Sequence, residues 1–245
     1  MSTSTAIHWR ELGFDARDRQ VYAPRPASLL LAEQAVQRVQ PGERFLDACT
    51  GSGVVGIAVA RYVSDSQVSV ADVNPAALAA ARANAAANGV NLEVLASDLY
   101  SAFPRDWFDV ISVHPPAVPY PPGASWGLSE GMTLATHGGS DGSELVIRSI
   151  VEAKPHLRPG GRLLLLLPHW SNVALARQAL AGNYTQVREL ARLDVEFFPA
   201  RDGIPEAPLL EHVRHLADNG TIEMSFETKV PRSVVSVVET VRPED

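Results

Sequence analysis

The residues best suited to chemistry lie in a glycine-rich turn that follows a short apolar segment. Segment 45–48 (FLDA) leads into the turn 49–53 (CTGSG), and a third glycine, Gly56, follows three residues later. Glycines in such a turn let the backbone approach a ligand without a Cβ in the way. The pattern is typical of turns that bind nucleotide-like ligands, and on its own it would equally suit a dinucleotide.

Three carboxylates accompany this turn, each at the end of a predicted strand. Asp47 lies four residues before Gly51, where dinucleotide-binding loops rarely place a carboxylate. Asp72 ends the second strand, where an acidic group can accept hydrogen bonds from ribose hydroxyls, and Asp98 follows the third strand. Carboxylates at successive strand ends favour a ligand with a cationic amino-acid tail and a ribose over a pyrophosphate.

The elements that must position these residues alternate between strand and helix. Apolar strand patterns occur at 44–48, 67–71, 92–95, 109–113, 162–168, 186–198 and 221–241. Helical patterns occur at 27–39, after the glycine turn through residue 62, from Pro75 to the stop at Gly89, and at 144–153, 172–181 and 209–217. Segment 115–142, rich in Pro and Gly, is predicted to be a functional loop.

This alternation predicts an α/β fold of the Rossmann-like, doubly wound class. Its sheet is expected to be mostly parallel and seven-stranded, with one antiparallel C-terminal strand. Residues 1–26 are interpreted as an N-terminal arm or lid, and residues 27–245 as one ligand-binding domain.

Composition narrows the classes of function. The 245 residues carry a net charge of -7 and no run of Lys or Arg, which argues against a dedicated nucleic-acid binder. A single cysteine, Cys49, excludes an internal disulfide, and the histidine spacing predicts no metal site. Apolar runs such as 163–167 are too short to span a bilayer. A cytoplasmic protein without a membrane partner is therefore expected.

Residues 22–170 resemble the class I S-adenosylmethionine (SAM)-dependent methyltransferases, and most closely the release factor glutamine methyltransferases. The resemblance rests on segments 21–26 (VYAPRP), 47–53 (DACTGSG), 72–75 (DVNP) and 138–142 (GGSDG). It implies SAM as co-substrate. Asp47 and Gly51 would hold its methionine end, Asp72 its ribose, and Asp98 with Leu99 the adenine edge. The remaining cofactor-binding candidates are Thr50, Ser52, Gly53 and Val73, the last on the adenine face.

One motif departs from that family. Where the family has Asn-Pro-Pro-Tyr, this chain reads His114, Pro115, Pro116 and Ala117, so the amide-gripping Asn and the aromatic Tyr are both missing. An imidazole cannot imitate a carboxamide, which argues against glutamine methylation of a release factor. His114 is either a general base or substrate contact, or a relic that plugs the strand end. Tyr120 either replaces the lost aromatic in catalysis or serves in packing.

The aromatic residues of the arm and loop form a further candidate group. They could surround a sulfonium or ammonium cation as a cage, or simply bury the arm and the loop. The substrate or lid candidates are Trp9, Phe14, Tyr22, Pro115 and Trp126.

Three functions remain open at this stage. The first is methyl transfer from SAM to a nitrogen or oxygen of a small molecule, without a nucleic-acid partner. The second is a non-methylating cyclase that resembles azetidine-2-carboxylate synthases and releases methylthioadenosine from SAM. The third is a non-catalytic SAM-binding domain. A homodimer is compatible with all three.

Overall fold

Eight strands form one sheet in the computed structural model, which describes residues 7–8, 11–15 and 18–244. The strands are β1 (Arg44–Ala48), β2 (Gln67–Asp72), β3 (Glu93–Ala96), β4 (Phe108–Val113), β5 (Leu157–Pro168), β6 (Thr185–Glu196), β7 (Met224–Ser225) and β8 (Arg232–Val241). Their order is β3-β2-β1-β4-β5-β8-β6, with the short β7 beside β8. The pairs from β3 to β5 are parallel, whereas β8 is antiparallel to both β5 and β6. The predicted α/β fold class with one antiparallel strand is confirmed, but the sheet has eight strands rather than the expected seven, because the predicted last strand is divided into β7 and β8.

Helices cover both faces of this sheet. They are α1 (Pro26–Arg38), α2 (Val54–Tyr62), α3 (Pro75–Ala87), α4 (Glu130–Thr136), α5 (Glu144–Ala153), α6 (Val173–Asn183) and α7 (Glu206–Asp218). In β5, Leu163 and Leu165 pack into the core on the α5 and α6 side, whereas Leu164 and Leu166 pack into the core on the α1 and α2 side. Strand side chains alternate between faces, so an unbroken run of leucines buries both faces of a central strand.

Two segments differ from the sequence-based prediction. Segment 221–241 is not one strand, because a turn separates β7 from β8 and Pro231, which has no backbone N–H, stands just before β8. The predicted loop 115–142 contains α4, whose N-terminus is capped by the Ser129 hydroxyl accepting from the Met132 N–H at 3.2 Å.

The described part of the N-terminal arm is held by α3. Gly13 exchanges two hydrogen bonds with the Asn88 side chain, at 3.1 and 2.8 Å, and the Asp15 N–H donates to Asn84 Oδ1 at 3.0 Å. Further along, the Gln20 carbonyl accepts from Asn74 Nδ2 at 2.7 Å. These bonds lead the chain to the carboxyl ends of the strands. The division into a 1–26 arm and a 27–245 domain stays a prediction.

Within the part of the chain that the structure describes, no helix combines the length and the apolar character needed to cross a membrane.

Candidate active site

A cavity of about 390 Å³ opens at the carboxyl ends of β1, β2 and β4. This is the edge of an open α/β sheet where ligands normally bind, and the volume is within the roughly 300–1,000 Å³ of small-molecule sites. It brings together most of the candidates chosen from the sequence. Its lining includes Tyr22, Asp47, Thr50, Gly51, Ser52, Asp72, Val73, Asp98, Leu99, His114 and Pro115.

The glycine-rich turn forms the floor of this first cavity. Gly51 has a φ of 54° and Gly53 a φ of 86°, values at which a side chain would be strained. A Cβ on Gly56 would lie 2.3 Å from Cγ1 of Val70, so only a glycine lets α2 pack this closely on β2. The turn and the start of α2 are thereby fixed against the sheet. Gly53 itself caps α2 rather than lining the cavity.

Asp47 is the most deeply buried carboxylate of the site, with only 1% of its surface exposed. Its Oδ2 accepts from Thr50 Oγ1 at 2.5 Å and its Oδ1 from Ser112 Oγ at 2.8 Å. Burial raises the pKa of Asp47 to about 6, although these hydrogen bonds lower it. Because burial disfavours the ionised form of Asp47, a ligand that places a positive charge beside it would stabilise that form.

The other two carboxylates differ in their surroundings. Asp72 is half-buried, and its oxygens accept from the backbone N–H groups of Gly51 and Asn74, each at 2.9 Å. Burial raises the pKa of Asp72 as well. Asp98 is exposed at the rim and pairs with Arg148 at 3.1 Å. Asp72 therefore links the glycine-rich turn to the start of α3, whereas Asp98 lies at the opening of the cavity.

His114 stands where the first cavity meets a second one. Its Nδ1 lies 3.5 Å from Ser28 Oγ of α1, and the Tyr22 ring lies perpendicular to it at a centroid distance of 6.4 Å. Desolvation lowers the pKa of His114 to about 4, so the imidazole is neutral at physiological pH. Ser28 was not singled out in the sequence, because a serine in the first turn of a helix is also a common capping residue.

The second cavity measures about 430 Å³ and shares four wall residues with the first: Tyr22, His114, Val118 and Trp170. Its other walls come from α1, the end of β6 and the 3₁₀ turn Pro199–Asp202. These segments are far apart along the chain, and no local sequence pattern identified them.

Several predicted site residues lie outside both cavities. The Tyr120 hydroxyl bonds to Thr136 Oγ1 at 2.7 Å, and its ring stacks on Trp126 at 4.5 Å. This placement lends no support to a catalytic Tyr120 or to Trp126 as part of a cage. Phe14 packs against the core beneath α1 and α2. Trp9 lies outside the described residues. The roles assigned to residues that do line the first cavity stay predictions.

Comparison with known proteins agrees with this geometry. Residues 25–119 match the family model of the methyltransferase small domain. A release factor glutamine methyltransferase of Gloeobacter violaceus is 37% identical over 199 residues, covering 76% of this chain and 69% of that protein. A ribosomal protein uL3 glutamine methyltransferase of Bordetella pertussis is 36% identical, covering 62% of this chain and 54% of its own length.

Solved structures show the same fold at lower identity. The Mtq2–Trm112 complex of E. cuniculi, described as responsible for eRF1 methylation, matches with a TM-score of 0.59 and 18% identity, covering 91% of this chain and 99% of its own. A 16S rRNA N2 G1207 methyltransferase of T. thermophilus, in complex with SAM and guanosine, matches with a TM-score of 0.53 and 18% identity, over 90% of this chain and 44% of its own.

These findings correct two expectations. The small-molecule substrate is wrong, because the relatives are named for protein acceptors. The expectation of no nucleic-acid partner is contradicted as well, because a protein of the same fold is named as a 16S rRNA methyltransferase. Enzymatic methyl transfer and the use of SAM are confirmed. The chain belongs to the class I SAM-dependent methyltransferases, in the group of the release factor glutamine methyltransferases.

Proposed function

We propose that this chain transfers the methyl group of SAM to a side-chain amide nitrogen of a protein, with glutamine as the acceptor residue. The names of the relatives support a protein glutamine acceptor. The observation that carries the proposal is the position of a neutral His114 at the junction of two cavities, one suited to the methyl donor and one to an acceptor.

The first cavity fits the donor. SAM supplies a methyl group on a positively charged sulfur, attached to a cationic amino-acid tail and an adenosine. The hydrogen bonds of Asp47 come from hydroxyl and backbone groups, so among the described residues its charge has no cationic partner. Asp47 would face the amino-acid tail, Asp72 the ribose, and Val73 with Leu99 the adenine. Val73 suits an apolar face because 46% of its surface is exposed at this cavity.

His114 receives a proton in this proposal rather than gripping an amide as an asparagine would. When Nδ1 donates to Ser28 Oγ, the lone pair of Nε2 is left for a hydrogen of the acceptor nitrogen. A base with a pKa of about 4 is weak. It is still strong enough to take a proton from an amide nitrogen, because that nitrogen becomes strongly acidic as it is methylated. It is far too weak to deprotonate a lysine ammonium, whose pKa is about 10.4. The weak base therefore favours an amide over an amine.

Methyl transfer also requires that the two reacting groups be held in line and shielded from water. Tyr22 places a residue of the N-terminal arm in the wall of both cavities. In this proposal the arm is a lid that closes the donor site. A cytoplasmic location is part of the same proposal, because release factors and ribosomal proteins work there.

The proposal is tested by transfer of tritiated methyl groups from SAM. The wild-type protein is incubated with purified release factors, ribosomal proteins, ribosomal RNA and a metabolite extract from its own organism. Label is expected in a protein, and His114→Ala should lower its rate at least about 100-fold, the scale of general acid–base catalysis. His215→Ala, on an exposed residue of α7, is the matched control and should be fully active. Label confined to RNA or metabolites would contradict the proposal.

A further inference from the structure

We infer that Asn74 is a positioning residue that joins the N-terminal arm to α4, so that the two segments close the donor cavity together. These segments, residues 18–22 of the arm and α4, are termed the roof. The inference rests on the proposed role of the arm as a lid, but it does not depend on which acceptor is methylated. It gives a function to α4, which the contacts proposed for the donor leave unexplained.

Asn74 is buried, with 6% of its surface exposed, and its polar groups bond to three different partners. Its backbone N–H donates to Asp72 Oδ1 at 2.9 Å, and its Oδ1 caps α3 by accepting from the Ala76 N–H at 3.0 Å. Its Nδ2 donates to the Gln20 carbonyl at 2.7 Å. Serine and aspartate cap helices about as well as asparagine does, but serine is shorter and aspartate has no amide hydrogen to donate. The side-chain amide of Asn74 therefore serves the arm rather than α3.

The start of α4 packs against this same hydrogen bond. A Cβ on Gly131 would lie 2.3 Å from the Gln20 carbonyl oxygen and 2.8 Å from Asn74 Nδ2, so only a glycine allows the contact. Just before α4, the Ser129 hydroxyl donates to the Arg19 carbonyl at 3.4 Å. Glycine is a poor helix former, and its presence in this seven-residue helix is explained by the close packing. The arm, α4 and the start of α3 therefore meet at Asn74.

From this junction the roof extends over the donor cavity to the loop that carries His114. Tyr22 of the arm and Leu134 of α4 both line the cavity. At the far end of α4, the Thr136 carbonyl accepts from the Val118 N–H at 2.9 Å. Only two prolines and an alanine separate His114 from Val118, and proline fixes the backbone φ, so the position of Val118 restricts that of His114. A closed roof thus encloses the donor and restrains the imidazole.

The junction should therefore control how fast a bound donor leaves. A ligand beneath the roof can dissociate only after the roof opens, so weaker contacts at Asn74 should raise the dissociation rate. The association rate should stay the same or rise, because an open roof does not obstruct entry. General damage to the donor site would instead lower the number of binding sites per protein molecule.

The test follows the release of S-adenosylhomocysteine, the product that remains after methyl transfer. Protein loaded with the tritium-labelled compound is mixed with an excess of the unlabelled compound, and bound label is counted by rapid filtration at timed intervals. Asn74→Ser keeps a capping oxygen for α3 but loses the bond to Gln20, and it should raise the dissociation rate at least tenfold with full binding stoichiometry. A wild-type rate in this variant would overturn the inference.

Two further variants make the test specific. Gly131→Ala favours the helical state of α4 but forces it away from Gln20, so it should also raise the dissociation rate at least tenfold. Asn183→Ser, the matched control, removes a 2.8 Å bond from an asparagine Nδ2 to the Ala179 carbonyl outside both cavities, and it should release at the wild-type rate. Fast release by Asn183→Ser, or wild-type release by Gly131→Ala, would contradict the proposed junction.

The double variant and hydrogen exchange show whether the two segments act together. Because both substitutions break one junction, Asn74→Ser with Gly131→Ala should release within about twofold of the faster single variant, whereas multiplied effects would indicate independent contacts. In Asn74→Ser with S-adenosylhomocysteine bound, the amides of Val21 in the arm and His137 after α4 should both exchange at least tenfold faster than in the wild-type protein. Faster exchange at Val21 alone would refute the joining of the arm to α4.

The outcomes separate this inference from the proposed function. Fast release by Asn74→Ser, with label confined to RNA in the methyl-transfer assay, would support the roof and refute the glutamine acceptor. Wild-type release by Asn74→Ser, with fast release by Tyr22→Ala and label in a protein, would support the reaction and the arm as a lid but refute Asn74 as the junction.

Discussion

The affinity for SAM should depend on pH through Asp47. Burial raises the pKa of this carboxyl from 3.8 to about 6, which corresponds to a cost of about 3 kcal/mol for its charge in the free protein. A cationic ligand needs the ionised form, so binding must release the proton whenever Asp47 is protonated. Below pH 6 the dissociation constant should therefore rise by about tenfold per pH unit, and at pH 5 affinity should be roughly tenfold weaker than at neutral pH.

Isothermal titration calorimetry measures this linkage directly. Titrations with SAM at pH 6, in two buffers with different ionisation enthalpies, should show release of about half a proton per bound ligand. Burial also raises the pKa of Asp72, so a shallower dependence should remain in Asp47→Asn. Asp98→Asn removes an exposed rim carboxylate and should keep the midpoint near pH 6. A dissociation constant that is constant from pH 5 to 8, without proton release, would refute the placement of Asp47 against the cationic end of the donor.

Further predictions concern packing, the arm and catalysis. Gly56→Ala should lower the free energy of unfolding by about 1–3 kcal/mol, because the added methyl group would overpack against Val70 of β2. Gly182→Ala, in the exposed last turn of α6, should raise the free energy of unfolding by about 0.5–1 kcal/mol. Urea denaturation of both variants checks both signs. Asn88→Ala should speed amide hydrogen exchange around Gly13 by removing its two arm contacts, and unchanged exchange would show that the arm is held by other residues. His114→Ala should lower kcat while the dissociation constant for SAM stays within about threefold of the wild-type value. If SAM affinity and kcat fell in parallel, the role of His114 would be structural.

The sequence predicted the central strands well because local and tertiary signals agree there. Strand β1 follows the predicted bounds, and α3 begins at Pro75 after the Asn74 cap, since an apolar strand and a capped, alanine-rich helix are defined by neighbouring residues. Helix α4 was missed because its sequence contains Gly and Thr. It is stabilised from outside, where Gly131 packs so closely on the Gln20 carbonyl that a Cβ would lie 2.3 Å from it.

The donor site was predictable for a similar reason, and the acceptor side was not. Asp47 and Asp72 lie at the ends of adjacent strands, so the topology alone places them together. The second cavity combines Arg25 with Asp202, which are 177 residues apart and meet only in the folded chain. The missing Asn and Tyr argued against a release factor glutamine, and the acidic charge argued for a small molecule over RNA, but neither outweighed the kinship with protein methyltransferases.

The most direct test of the central claim is to locate the transferred methyl group. The labelled acceptor protein from the tritium assay is prepared again with SAM carrying a deuterated methyl group, digested and sequenced by tandem mass spectrometry. The account predicts the heavy methyl on the side-chain amide of a glutamine, present with wild-type protein and with His215→Ala and strongly reduced with His114→Ala. A heavy methyl on a lysine, arginine or histidine side chain, or equal yield with His114→Ala, would contradict it.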